Sequence, residues 1–165
     1  LVEYMIPSKN PNWADCDLES NLNCGISQIF GFDVIDGAVW FTEWAENNIG
    51  VVDITKSLPF KIDTDKELLI LKKGESGQIT LTITYENISD SINSEIKTSH
   101  TASTTTNFTD LLISSSRDTV QGNSEDVTLT IHASQTSLAG NYKALLGIGN
   151  NEVTISQYVD VIIES

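Results

Sequence analysis

The chain has 165 residues, a hydrophobic fraction of 39% and a formal net charge of −14. This length accommodates one domain, or a small unit followed by a sandwich of about 100 residues. Nucleic acid is excluded as a partner, because its binding requires neutralised phosphates and the chain has 9 basic against 23 acidic residues. No apolar run reaches the ~20 residues that cross a bilayer, so we expect no transmembrane segment.

The chain begins with Leu1 and shows no signal-peptide pattern, so we expect a mature or trimmed fragment of a longer protein. The acidic charge is shared evenly along the chain. Residues 1–57 include 2 basic and 9 acidic residues, and residues 58–165 include 7 basic and 14 acidic residues. It therefore predicts a solvated surface of the kind found on secreted proteins, with a divalent cation as a conceivable ligand.

The first third of the chain predicts an antiparallel meander. A strand at Leu1–Ile6 ends at Pro7 and is followed by a polar loop. Three short strands are then expected, at Ile29–Val34, Ala38–Glu43 and Ile49–Asp53. The pairs Asp36-Gly37 and Asn47-Asn48 tolerate positive φ and would close the hairpins between them.

A change of composition marks a boundary near residue 57. All three tryptophans (Trp13, Trp40 and Trp44) and both cysteines precede it. Pro59 biases the residue before it to an extended conformation, which is typical of a linker. We therefore predict two domains, 1–57 and 58–165.

The second domain predicts a β-sandwich. Gln78–Tyr85 alternates strictly between large apolar residues and threonine, which indicates a half-buried strand. Further strands are expected at Leu68–Lys72, Leu111–Ser115, Val127–Ala133, Tyr142–Ile148 and Val153–Ile163. The stretch 98–106 is rich in threonine and predicts an exposed loop or a polar edge strand. The whole chain is expected to be all-β.

Cys16 and Cys24 lie close together, without a histidine or a second cysteine pair nearby. A short-loop disulfide in an oxidising compartment is one interpretation, and two unpaired thiols is the other. Asn87 and Asn107 begin N-glycosylation triplets, which would be used only on a secreted protein.

The run Val39-Trp-Phe-Thr-Glu43, followed by Asn47-Asn-Ile-Gly-Val-Val-Asp53, resembles a blade of the virginiamycin B lyase (streptogramin lyase) type of β-propeller. The resemblance covers about 57 residues and one blade. It implies that Trp40 and Phe41 point to opposite faces and fill the spaces between blades. Gly37 would then provide the turn, and Gly50 a close backbone approach.

The run Ser137-Leu-Ala-Gly-Asn-Tyr142 resembles the corner that opens a late strand in immunoglobulin-like accessory domains of secreted proteins. This resemblance implies that Gly140 shapes the corner and that the Tyr142 hydroxyl bonds back across it. The expected fold is a propeller-blade-like antiparallel meander followed by an immunoglobulin-like β-sandwich.

No catalytic residue is expected in this chain. The streptogramin lyases use a histidine base, but His100 and His132 both lie outside the matched region. The candidate metal ligands are Glu43, at a strand end, and three alternating carboxylates in the polar loop, Asp15, Asp17 and Glu19. The loop lacks the glycine and the terminal glutamate of an EF-hand, and a solvated or hydrogen-bonded structural carboxylate is the favoured interpretation of Glu43.

Three functions remain open. The first is a non-catalytic extracellular binding or structural module, whose partners are upstream propeller blades, other copies of the chain, or a protein or cell-surface component. The second is the tail of a lyase-like or lactonase-like enzyme whose active site lies upstream. The third is a cell-envelope or filament subunit that assembles by strand donation from Leu1–Ile6.

Overall fold

The computed structural model describes residues 1–6, 29–44, 47–86, 94–102, 110–120 and 123–165. These ranges contain no α-helix, and the chain is all-β, as predicted. The strands are β1 (Val2–Tyr4), β2 (Ile29–Ile35), β3 (Ala38–Glu43), β4 (Asn48–Asp53), β5 (Phe60–Thr64), β6 (Leu68–Lys72), β7 (Ser76–Tyr85), β8 (Ser94–Ala102), β9 (Leu111–Ser115), β10 (Thr119–Val120), β11 (Ser124–Ala133), β12 (Gly140–Gly149) and β13 (Val153–Glu164).

The chain forms two compact units, one of Leu1–Glu3 with Leu58–Ser165 and one of Tyr4–Ser57. The larger unit contains two sheets. One has the strand order β5-β7-β11-β9, and the other has the order β1-β13-β12-β8-β10, with β6 also paired to β13. In chain order this is the A-B-E-D and G-F-C arrangement of an immunoglobulin-like sandwich.

The sandwich core comes from the alternation that the sequence shows. In β7 every second side chain is buried, from Ile79 to Tyr85, and β11 repeats the pattern from Val127 to Ala133. The two strands pair antiparallel, with Leu81 opposite Val127 and Ile79 opposite Leu129. Their apolar side chains therefore lie on one face and pack against those of the other sheet.

The ring of Phe60, on β5, is fully buried in this core. It meets the ring of Tyr85 edge to face, with centroids 5.9 Å apart and an interplanar angle of 70°. This is a favoured geometry for an aromatic pair, so β5 is fixed to the sheet by side-chain packing as well as by its ladder.

The first strand differs from the prediction, which grouped Leu1–Ile6 with the meander. Val2–Tyr4 forms β1, which pairs with β13 in the sandwich. The physical reason is the free edge of β13. Its last five residues pair with β6 in parallel, from Asp160 opposite Leu68 onward, and its earlier part remains open to another strand.

The described part of the threonine-rich stretch follows one of its two predicted alternatives. Residues 98–102 belong to β8, which pairs with β12 along eight positions and meets β10 only at Ser94 and Glu95. An edge strand was one of the two alternatives for this stretch, and an exposed loop was the other. His100, expected in a loop, therefore lies in a strand, opposite Ala144.

The smaller unit contains a sheet of order β2-β3-β4. Asp36 and Gly37 link β2 to β3 and both have positive φ, 51° and 77°. This is the combination that a tight two-residue hairpin turn requires. Asn47, before β4, also has a positive φ of 55°. The three strands therefore form an antiparallel meander, a name used below for β2, β3 and β4.

Candidate interaction surface of the meander

The registers of the meander place large apolar side chains on both of its faces. Trp40 lies opposite Asp33 on β2 and Val51 on β4, and Phe41 lies opposite Phe32 and Gly50. Directly opposed residues share a face of a sheet, whereas successive residues of one strand point to opposite faces. Trp40 and Phe41 therefore occupy opposite faces.

One face, here called the apolar face, carries Trp40, Ile49 and Val51. The three side chains are 45%, 73% and 53% exposed, respectively. Trp40 and Val51 are a direct cross-strand pair, and Ile49 is two residues from Val51 on the same strand. A shallow depression beside Trp40 and Ile49 is bordered by Gly31 and Asp33. Contiguous exposed apolar groups of this kind mark interaction surfaces.

The opposite face is partly covered. Phe41 and Glu43 are buried, whereas Phe32, directly opposite Phe41, is 74% exposed. The side chains of Phe41 and Glu43 approach the backbone of β4 closely because position 50 is a glycine. A Cβ at that position would lie 2.2 Å from Cζ of Phe41 and 2.9 Å from Oε1 of Glu43. Gly50 thus leaves room for both side chains.

A β-bulge separates the two ends of β2. Ile29 pairs with Glu43 and Phe32 with Phe41, so three steps along β2 match two along β3. The Thr42 hydroxyl accepts a hydrogen bond from the Gly31 nitrogen at 3.1 Å and contacts the Gly31 oxygen at 3.4 Å. The side chain thereby satisfies a peptide group that the bulge removes from the ladder. A glycine inside a strand pattern is the signal that could have predicted this bulge.

Both outer strands of the meander have an open edge. Within the described ranges, β2 and β4 each pair only with β3. Unpaired N–H and C=O groups at such an edge are a template for a further strand. The meander therefore offers two kinds of contact surface, an apolar face and main-chain edges.

The electrostatics of the meander are entirely acidic. Its three strands contain Asp33, Glu43 and Asp53 and no lysine or arginine. Asp53 Oδ1 accepts hydrogen bonds from the Thr55 hydroxyl at 2.6 Å and from the Thr55 nitrogen at 3.0 Å. The hydroxyl bond is the main reason why the pKa of Asp53 lies below its usual value.

Several predicted site residues lie outside the described ranges. They are the two cysteines Cys16 and Cys24, the glycosylation candidates Asn87 and Asn107, and the loop carboxylates Asp15, Asp17 and Glu19. Glu43 is described, and it lies beside Phe41 and Gly50. No group of three or more potential metal-ligating side chains occurs in the part of the chain that the structure describes.

The sandwich corner has the geometry that its motif implies. The buried Tyr142 hydroxyl donates to the backbone oxygen of Leu138 at 2.8 Å and lies 3.4 Å from Oδ2 of Asp110. Burial, followed by the proximity of the Asp110 carboxylate, raises the pKa of Tyr142. Gly140 has φ 156°, and a Cβ there would meet nothing within 4 Å, so its backbone angle rather than space favours glycine.

His132 makes a polar contact on the outer surface of the sandwich. Its Nδ1 lies 2.9 Å from the Ser76 hydroxyl oxygen, across the β7–β11 ladder. The His132 side chain is half-buried.

No protein-family model matches the chain, and no curated protein does either. The resemblance of 1–57 to streptogramin lyase blades therefore depends on its residue motif alone.

The described residues include no helix with the length and apolar character of a membrane span.

Three solved structures resemble parts of the chain weakly. The BIgI domain of the beta protein from S. agalactiae bound to CEACAM1 is 14% identical, with a TM-score of 0.40 over 64% of this chain and 96% of that one. A family 123 glycoside hydrolase from Clostridium perfringens is 8% identical, with a TM-score of 0.43 over 65% of this chain. E. coli alpha-2-macroglobulin in its native conformation is 14% identical, with a TM-score of 0.37 over 75% of this chain. The chain spans 27% of the hydrolase and 8% of the macroglobulin.

Proposed function

We propose that the chain is a non-catalytic extracellular binding or structural module, whose meander packs against a neighbouring propeller blade of a longer secreted protein. The observation that carries the proposal is the apolar face, on which Trp40, Ile49 and Val51 remain substantially exposed. A sheet with large apolar residues on both faces is suited to a position between two other layers.

The partner surface follows from the chemistry of the apolar face. Aliphatic and aromatic groups would pack on Val51 and on the ring of Trp40. Asp33 lies directly opposite Trp40 and shares its face. A lysine or arginine on the partner would therefore meet this carboxylate, so such a partner would be preferred over a second, acidic copy of the chain.

The sandwich would serve in this arrangement as a spacer or docking domain. Its two sheets bury a continuous core that does not depend on the meander strands. An immunoglobulin-like scaffold by itself specifies no ligand, so the binding role is assigned to the meander and not to the sandwich fold. The disulfide and the extracellular location belong to the same proposal.

The test is a comparison of three forms of the chain by light scattering over a range of concentrations. The double substitution Ile49→Thr with Val51→Thr removes the exposed aliphatic groups and keeps residues that favour strands. The matched control is Ile70→Thr with Leu112→Thr, because these sandwich residues are exposed to a similar degree, 52% and 56%.

The unsubstituted chain and the control are expected to associate, since the apolar face lacks the blade that would cover it. The substituted meander should stay monomeric at concentrations well below about a millimolar, where exchange of a tethered strand is not populated. Association of the unsubstituted chain should increase with salt as repulsion between acidic copies is screened. A monomer that behaves identically in all three forms would contradict the proposal.

A further inference from the structure

The outer edge of β13 is shared end to end by two separate segments of the chain. β6 pairs in parallel with residues 160–164, from Asp160 opposite Leu68 to Glu164 opposite Lys72. β1 pairs with the preceding part, where the Leu1 nitrogen donates to the Ser156 oxygen at 2.8 Å. The Ser156 nitrogen donates in return to the Leu1 oxygen at 2.9 Å.

This reciprocal exchange identifies β1 and β13 as an antiparallel pair. In such a pair, alternate residues point their N–H groups toward the partner strand. Leu1 faces β13 with its main chain, so Glu3 does so as well, whereas the N–H of Val2 points away.

β1 is attached to the sandwich mainly by its main chain. All three of its residues are exposed, and so is Leu1. The edge that it covers belongs to a well-packed strand, in which Val153, Ile155 and Ser156 are buried. The β13 edge is therefore a well-packed template, and its occupant is held mainly by main-chain hydrogen bonds.

The connection between β1 and β5 comprises residues 5–59 and contains the meander. No short turn fixes β1 to its position, and its partner Ser156 lies 155 residues along the chain. The contacts of β1 would be the same whether it came from its own chain or from another copy, which is the condition for strand exchange.

We propose that the β13 edge beside Ser156 is a strand-acceptor site, and that its exchanging ligand is the β1 segment of a second copy of this chain. Within one chain, the effective concentration of β1 is on the order of millimolar, so exchange becomes populated when copies are held together at comparable concentrations. The inference rests on the β1–β13 pairing and does not depend on the apolar face of the meander.

The acceptor site is tested with a fluorescent peptide of residues 1–6 and a chain that lacks these residues. The unmodified peptide is expected to bind, and backbone N-methylation at Glu3 should weaken binding by about tenfold or more, because it removes a ladder hydrogen bond. The matched control is N-methylation at Val2, whose N–H points away from β13 and whose loss should leave binding unchanged. The intact chain should bind the same peptide more weakly, since its own β1 competes.

Exchange between copies is tested on the full-length chain, so it does not require the truncated form to fold. The chain with Ile49→Thr and Val51→Thr, which no longer associates through the apolar face, should form a dimer at about millimolar concentration. That dimer should be lost when Glu3→Pro is added, because proline has no N–H for the ladder. Because the apolar face is already removed in this background, the dimer is distinguished from association through that face.

Two results would overturn the inference. One is a folded truncated chain that does not bind the peptide, or that binds both N-methylated forms equally well. The other is a chain with Ile49→Thr and Val51→Thr whose oligomeric state at about millimolar concentration is unaffected by Glu3→Pro.

Discussion

The ring of Phe41 lies over Gly50, its direct partner across the β3–β4 ladder. A Cβ at position 50 would lie 2.2 Å from Cζ and 2.3 Å from Cε2 of that ring. The aromatic side chain thus covers the backbone that glycine leaves bare, an arrangement that stabilises glycine in strands. It also explains why Phe41 is buried while its neighbour Trp40 remains exposed.

We expect Gly50→Ala to destabilise the meander by about 1–3 kcal/mol, because the added methyl group must displace the Phe41 ring. Tryptophan emission during urea unfolding measures this effect selectively, since Trp13, Trp40 and Trp44 all precede residue 57. The transition followed by tryptophan should shift to lower urea concentration.

Gly31→Ala is the matched control for this substitution. Gly31 lies in the same sheet, has no positive φ, and a Cβ there would meet nothing within 4 Å. Its transition should remain near that of the unsubstituted chain, and equal shifts for the two variants would refute the role assigned to Phe41.

The local features of this fold were predictable from sequence because they depend on short-range patterns. The alternation in Gln78–Tyr85 predicted the strand whose apolar residues are buried. Asp36-Gly37 predicted a tight turn, since few other pairs adopt positive φ at both positions. In the candidate site, the adjacency of Trp40 and Phe41 on one strand predicted that they occupy opposite faces.

The long-range features were not predictable in this way. Nothing in Val2–Tyr4 indicates that it pairs with β13, because main-chain ladders carry little side-chain information. β8 was ambiguous because Ser94–Ala102 has no apolar alternation, although threonine favours strands. The exposure of Ile49 depends on which neighbours cover the sheet, and a strand pattern does not specify them.

Tyr142→Phe should lower the stability of the sandwich by about 1–3 kcal/mol. The substitution removes the hydroxyl that donates to Leu138 and leaves that carbonyl without this bond. Far-UV circular dichroism during denaturation is a suitable measurement, because most strands belong to the sandwich. Tyr158→Phe is the control, as this side chain is exposed. Equal losses of stability in the two variants would contradict the contribution assigned to the Tyr142–Leu138 hydrogen bond.

The sandwich should also lose stability at alkaline pH. Burial raises the pKa of Tyr142 and of Tyr85 above the ordinary value of 10.0. A raised folded-state pKa of a tyrosine contributes stability that is fully present below pH 10, the unfolded value, and is lost as the pH rises through the folded value. The contribution of these tyrosines to the free energy of unfolding should thus be constant below about pH 9 and fall above about pH 10. In Tyr142→Phe the free energy of unfolding should fall less steeply with pH. An unchanged slope would mean that Tyr142 is not a source of the alkaline loss of stability.

The hydrogen bond from Thr55 to Asp53 should be visible in the acid titration of the meander. The Thr55 hydroxyl lowers the pKa of the Asp53 carboxyl from its usual 3.8, so the bond stabilises the fold above that pH and is lost as the pH falls through the folded value. Thr55→Val keeps the side-chain shape but removes the hydroxyl, and the Asp53 pKa measured by NMR should rise. Thr55→Ser retains the donor and should restore the lowered value. A pKa that is the same in both variants would mean that the backbone N–H of Thr55 alone maintains the shift.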